Sequence, residues 1–263
     1  MDRAFSNTPA AHSDCFASCH SDPEQSAGEE SRGAQDSIRE ESRPFATAQG
    51  DKINTLMDAL QEQIEKGIKV LKEGSLVAFP TDTVYGLGAD AFNPKAVERI
   101  YQVKKRPKGL PLPLLIADIS RVTDIAQPMS EIALFLARRF WPGGLTLVLS
   151  KKTSLPDYLF KDSTVAVRVP NHPVCQALIQ GLGRAIIGTS ANISGKPSAL
   201  TASEVRQQLG NRVDLVIDGG RCPGGKESTV VDVTGETPVV LREGIIPACE
   251  IDKVCREYLE LNK

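Results

Sequence analysis

The 263-residue chain is 41% hydrophobic with 5% aromatic residues, 21 Gly and 17 Pro, and carries a formal net charge of -2. That length suits one large domain or two small ones, and the composition excludes a coiled coil and a wholly disordered polymer. No apolar run reaches the ~18 residues of a membrane span, so a soluble protein is expected.

The chain divides near Asp51. Residues 1–51 are rich in Ser, Ala, Gly, Glu and Asp and show no hydrophobic period, the composition of a disordered acidic extension. The acids Asp22, Glu24, Glu29, Glu30, Asp36, Glu40 and Glu41 leave the remaining residues, 52–263, mildly basic. A basic globule with an acidic tail suits an anionic ligand, although ordinary solvated charge explains composition equally well. Cys15-Phe-Ala-Ser-Cys19-His20 has the wrong spacing for a haem or zinc box, and the six scattered cysteines suggest a reducing compartment. Transit peptides are poor in acids, so the cytoplasm is the expected location.

After Asp51, Ile53, Leu56, Leu60, Ile64, Ile68 and Leu71 recur at helical steps until Glu73-Gly74 closes the element. A strand at 76–79 follows, then a loop, then a helix with Asn93 as N-cap and Pro94 at its first position. This helix must stop by Arg106, because Pro107 follows. The pattern next predicts a strand at 112–117, a helix at 130–140 and a strand at 145–150 after Pro142-Gly143-Gly144. Further strands are expected at 164–169, 185–188, 215–217, 228–233 and 238–241, with a capping box at Thr201-Ala-Ser-Glu204 opening one more helix. Strands and helices mix without strict alternation, which predicts an α/β or α+β domain around a twisted, mixed, open sheet.

Several strand ends open into polar clusters. Phe79-Pro-Thr-Asp-Thr-Val-Tyr-Gly-Leu-Gly88 places three hydroxyl-bearing side chains, at Thr81, Thr83 and Tyr85, just past an apolar run. Gly188-Thr-Ser-Ala-Asn-Ile-Ser-Gly195 repeats the pattern, with small residues that let backbone amides approach a ligand. Lys104, Lys105, Arg106 and Lys108 crowd a helix end. The helix dipole accounts for one or two of these cations, whereas Arg106 and Lys108 beside a helix-ending proline suit a polyphosphate. Arg168 sits between strand valines, where a lone arginine is usually solvated, and Ser228 and Arg242 mark two more strand ends. Gly220 to Lys226 fits a phosphate-binding GxxxxGK, but Glu227 stands where a hydroxyl is needed and the sequence beyond is β-prone, so a true P-loop is not expected.

Taken together, these residues resemble the YrdC-type threonylcarbamoyl-AMP synthases. The likeness rests on the segment from Phe79 to Gly88, Lys104-x-Arg106-Pro, Trp141-Pro-Gly-Gly-Leu-Thr146, Arg168-Val-Pro170, Thr189-Ser-Ala-Asn-x-Ser-Gly195, Ile217-Asp-Gly-Gly220, Ser228-Thr-Val-Val-Asp232 and Leu241-Arg-Glu-Gly244, in family order. It implies an open α/β sheet with a basic concave cavity and a nucleotidyltransferase that makes threonylcarbamoyl-AMP and pyrophosphate from L-threonine, bicarbonate and ATP. The product would serve threonylcarbamoyl-adenosine modification of tRNA through downstream threonylcarbamoyl-transferase proteins. Carried over, Lys104, Arg106, Ser190 and Asn192 are catalytic and, with Lys108 and Arg242, hold ATP; Thr83, Arg168, Thr189 and Ser228 hold threonine. Mg²⁺ is expected to arrive with ATP, with no metal held by the protein alone. Leu110 departs from the polar or basic residue common in relatives, which leaves one phosphate contact either missing or supplied by Lys108, and the chain length resembles the single-domain form. The competing reading is a double-stranded RNA or tRNA binding module without chemistry, which the hydroxyl clusters do not explain.

Overall fold

The computed structural model of the protein describes residues 43–263 apart from 109, 157 and 159–162, with side chains from Asn54 onward. Helix α1 (Arg43–Lys72) begins ahead of the Asp51 boundary suggested by composition; the acidic stretch before it, with Cys15 and Cys19, lies outside the described residues. Among the described residues nine strands form one sheet: β1 (Val77–Phe79), β2 (Gly86–Asp90), β3 (Leu114–Leu115), β4 (Leu145–Ser150), β5 (Thr164–Arg168), β6 (Ile186–Ser190), β7 (Leu215–Val216), β8 (Thr229–Asp232) and β9 (Val239–Arg242). Their order is β7-β1-β2-β6-β3-β5-β4-β8-β9, with β1/β7, β3/β5 and β4/β8 parallel and the other pairs antiparallel. This is the expected mixed open sheet.

Helices α2 (Pro94–Lys104), α3 (Glu131–Phe140), α5 (Ala202–Leu209) and α6 (Ala248–Leu261) pack on one face through Ile100, Leu136, Val205 and Val254, against strand residues such as Leu87, Leu147 and Ile187. On the other face α1 and α4 (Pro173–Leu182) bury Leu71, Leu178 and Ile179 against Phe79, Leu115 and Ile186. Period-two alternation therefore sends Leu114 to one core and Leu115 to the other.

Local chemistry sets several boundaries. The Asn93 side chain accepts from the amides of Lys95 and Ala96, as an N-cap should, while Lys105 takes the left-handed conformation (φ 52°) that ends α2. Thr201 accepts from the amide of Glu204, and Glu204 reaches back to the amide of Leu200 at 2.7 Å.

Strand β2 is the main departure from the expected pattern, since its Gly-Leu-Gly sequence reads as loop. Tertiary packing overrides the poor β-propensity of glycine here: Gly86 and Gly88 pair with Phe79 and Val77, and a Cβ on Gly88 would stand 2.5 Å from the Phe79 ring. The glycines make room for an aromatic side chain. Helices α4 and α6 also escaped the pattern, although Val174, Cys175, Leu178, Ile179 and Leu182 of α4 have helical spacing and Gly183 closes it with φ 76°.

Candidate functional site

The strand register places the site. Gly86 pairs with Ser190 and Gly88 with Gly188, while Leu115 pairs with both Ile186 and Arg168, so Ser190, Gly188, Leu115 and Arg168 share the face that α1 and α4 cover only in part. The uncovered portion is a cleft lined by Thr81, Thr83, Tyr85, Arg106, Arg168, Thr189, Ser190, Glu227, Ser228 and Arg242. Residues far apart in the chain thus converge on one concavity. Its enclosed volume is about 120 Å³, below the ~300–1,000 Å³ of a drug-sized site.

Thr81 and Thr83 answer to one another. The Thr83 amide donates to Thr81 Oγ1 (3.1 Å), the two hydroxyls lie 3.0 Å apart, and Thr81 donates to the carbonyl of Val84 (2.7 Å). One hydroxyl fixes the loop and the other faces Arg168. Arg168 is 7% exposed, so the solvated reading of a strand arginine does not apply. Its Nε donates to Gly143 O (2.9 Å), Nη1 to Thr83 Oγ1 (2.9 Å) and Nη2 to Asp82 Oδ1 (2.6 Å). A guanidinium has five N–H groups, so two have no protein partner among the described residues. Asp82 also accepts from the amide of Asn171 (3.1 Å), tying the arginine to the chain beyond β5.

Ser228 joins two neighbours. Its hydroxyl lies 2.8 Å from that of buried Thr146, and Arg242 Nη2 donates to Ser228 O (2.8 Å) and approaches Ser228 Oγ at 3.3 Å. Arg106, half-buried opposite, donates through Nη2 to Pro111 O (3.0 Å). Burial lowers its pKa, the Tyr101 phenol opposes that shift, and the neighbouring Arg242 charge lowers the pKa further. Tyr85 donates to Gly220 O (2.9 Å), and burial raises its pKa to about 12, keeping the phenol neutral.

Lys104 and Asn192 differ from expectation. Lys104 is 1% exposed and its ammonium donates to Ser190 O, to Asn192 O (2.9 Å) and to Asn192 Oδ1 (3.1 Å). All three N–H groups are satisfied by protein, so Lys104 braces the loop after β6 from behind and is not a wall of the cleft. Burial is the main cause that lowers its pKa to about 8, with the Arg106 charge adding to it and Glu227 opposing. Asn192 accepts from Ser190 Oγ (2.6 Å), which aims that hydroxyl, and likewise does not line the cleft. Lys108 is exposed, pairs with Glu98 of α2 at 2.8 Å and is not among the residues lining the cleft. The Gly220 to Lys226 segment runs into strand β8 with no helix after it, as the rejected P-loop reading expected.

The residues missed by sequence reasoning are Asp82, Thr146 and Glu227. The first two lie inside the quoted segments Phe79 to Gly88 and Trp141 to Thr146, where nothing local assigns them a role. Glu227 entered only as the residue that spoils a P-loop, and nothing local marks it as part of a cleft.

Fold and cleft together define an α/β protein with a hydroxyl- and arginine-lined cleft on one face of a mixed sheet. Residues 69–244 match the Sua5/YciO/YrdC family, described as "Telomere recombination", and the chain belongs to that family. Among its relatives, the threonylcarbamoyl-AMP synthase of Pyrococcus abyssi is 44% identical over 209 residues, covering 77% of this chain and 62% of the relative. The threonylcarbamoyl-AMP synthase of Bacillus subtilis is 46% identical over 197 residues, covering 73% of this chain and 56% of the relative. The chain thus spans 56–62% of the length of these two curated relatives. The crystal structure of P. abyssi Sua5 complexed with L-threonine superposes with a TM-score of 0.70 at 46% identity, over 73% of this chain and 56% of that one.

Proposed function

We propose that the protein is a threonylcarbamoyl-AMP synthase, a nucleotidyltransferase that joins L-threonine, bicarbonate and the adenylate of ATP and releases pyrophosphate. The observation that carries this reading is the convergence of Thr83, Arg168, Ser190, Ser228, Arg106 and Arg242 on one cleft. Kinship to two synthases and to a relative crystallised with L-threonine supports it.

The enclosed part of the cleft suits an amino acid, while the half-buried Arg106 and the exposed Arg242 offer forks to phosphate oxygens at its mouth. The two free N–H groups of Arg168 take the threonine carboxylate, with Thr83, Thr189 and Ser228 beside its hydroxyl and backbone. Threonine's neutral amine adds to carbon dioxide derived from bicarbonate, losing a proton to give a carbamate. A carbamate oxygen then attacks the α-phosphorus, and the bond from that phosphorus to the pyrophosphate oxygen breaks. Little covalent help is required, so catalysis consists of positioning and of neutralising the leaving pyrophosphate, with Ser190 aimed by Asn192 and the loop held by Lys104. Mg²⁺ enters as part of the ATP substrate, because Glu227 is the one carboxylate lining the cleft among the described residues and a protein cage needs more.

The product is consumed in threonylcarbamoyl-adenosine modification of tRNA by a separate transferase, in the cytoplasm. Among the described residues no helix is long and apolar enough to cross a membrane. A duplex-RNA platform has less support, since these arginines sit in a narrow cleft.

The test mixes the protein with Mg·ATP, radiolabelled bicarbonate and threonine and looks for label in an adenylate. Labelled adenylate that requires threonine is expected; pyrophosphate release indifferent to threonine would refute the reading.

A further inference from the structure

We propose that Glu227 is a specificity residue that accepts a hydrogen bond from a ribose hydroxyl of the nucleotide, and that the nucleoside sits in the cavity adjoining the arginine cleft. The proposal rests on the nucleotide reading above. The second cavity, about 440 Å³ and lined besides Glu227 by Lys196, Ser198, Lys226, Glu243 and Gly244 among others, lies within the ~300–1,000 Å³ range of small-molecule sites. The arginine cleft, at about 120 Å³, does not. Glu227 lines both spaces, so it stands where a ligand would pass from one into the other.

Its position is fixed. The Glu227 carbonyl accepts from the amide of Ile245 (2.8 Å), and Gly244 packs so closely that a Cβ there would lie 2.2 Å from that oxygen. The next residue, Ser228, is gripped by Arg242. Ser198 Oγ donates to Glu227 Oε1 at 2.5 Å, which orients the carboxylate. Among the described residues Oε2 has no hydrogen-bond partner, and neither Arg106 nor Arg242 forms an ion pair with Glu227.

A carboxylate in a cleft built for phosphates repels its ligand unless it stands where that ligand presents a donor. Threonine offers a hydroxyl, which Thr83, Thr189 and Ser228 meet in the reading above, and an amine, which must be neutral to become a carbamate and which a carboxylate beside it would hold as the ammonium. ATP offers ribose hydroxyls one group away from the α-phosphate. With phosphates at Arg106 and Arg242 and the nucleoside in the larger cavity, the ribose falls at the boundary between the two spaces. Carboxylate recognition of ribose hydroxyls is a recurrent solution in other nucleotide sites.

The experiment compares ATP, 2′-deoxy-ATP and 3′-deoxy-ATP in wild type, Glu227→Gln, Glu227→Ala and Ser198→Ala, by adenylate formation and by direct calorimetric binding. Wild type is expected to disfavour at least one deoxy analogue by roughly 10- to 100-fold, the scale of a hydrogen bond to a charged group. Glu227→Ala should lose that preference, Glu227→Gln should keep part of it through the amide oxygen, and Ser198→Ala should retain most of it. Equal binding of all three nucleotides by wild type overturns the proposal, as does an undiminished preference in Glu227→Ala. Should the alanine variant fail to fold, a preference as large in Glu227→Gln as in wild type overturns the charge-based account. Should Ser198→Ala erase the preference as fully as Glu227→Ala, the loop reads the ribose and the assignment to Glu227 fails. If wild type makes no threonine-dependent adenylate but binds ATP over its deoxy analogue through Glu227, the synthase reading fails and this inference stands.

Discussion

Lys104→Ala and Arg106→Ala separate bracing from ligand contact, although the two cations lie two residues apart. Removing the Lys104 side chain strips donors from Ser190 O, Asn192 O and Asn192 Oδ1, in a place where the residue is 1% exposed. Each buried polar group left without a partner costs ~1–3 kcal/mol, and the missing four-carbon stem adds a cavity. Against this stands relief from holding a desolvated ammonium, whose pKa burial has already lowered to about 8. The balance is a loss of about 3 kcal/mol. Arg106 is half-buried and its bonds run to the exposed-side carbonyls of Leu110 (3.4 Å) and Pro111 (3.0 Å), which water can satisfy, so Arg106→Ala should change stability by less than ~1 kcal/mol. Both variants should lose ATP use, Arg106→Ala by roughly 30-fold or more from a lost charge-assisted contact. Urea unfolding followed by the fluorescence of Trp141, together with ATP-dependent pyrophosphate release, reads both effects. If the two variants unfold within ~0.5 kcal/mol of each other, Lys104 is no brace and the bonding pattern has been misjudged.

The same lysine gives a pH signature. Its pKa falls from 10.5 to about 8 on folding, so between those values the unfolded chain binds more protons at this group, and stability rises with pH there. Wild type should gain on Lys104→Met between pH 8 and 10.5, by up to about 1.4 kcal/mol per pH unit, in paired urea titrations. Asp82→Asn removes the charge that fixes Arg168 Nη2 while leaving an acceptor; the threonine KM should rise roughly 10-fold with a smaller change in kcat, in steady-state assays over a threonine series. Gly88→Ala forces a methyl to within 2.5 Å of the Phe79 ring and 2.9 Å of Ile186, and should cost ~1–3 kcal/mol of unfolding free energy with the cleft residues unaltered.

Much of this protein was legible in residue order because the physics involved is local. Asn93, Ser130 and Thr201 announce helix starts through bonds spanning a few residues, and alternation in Leu145–Ser150 and Thr164–Arg168 marks strands buried on at least one face. The hydroxyl-rich strand ends were visible too, since packing gives no reason for them, and Thr83, Arg106, Arg168, Thr189, Ser190, Ser228 and Arg242 all line the cleft. What residue order could not decide is which groups face a ligand and which face each other. Lys104 and Arg106 look alike in sequence, but the end of α2 buries one against the loop after β6 and leaves the other at the cleft mouth. Lys108 looks like a phosphate ligand in sequence, and in the fold it meets Glu98 of α2 outside the cleft lining. Strand β2 is a strand because Phe79 on its neighbour requires glycines opposite it, and Glu227 became a cleft residue only when β8 paired beside β4 and β9. Local bonds are written in a few adjacent residues; the register of nine strands, and with it the meeting of Arg106, Arg168, Glu227 and Arg242, is fixed only when two hydrophobic cores close on the sheet.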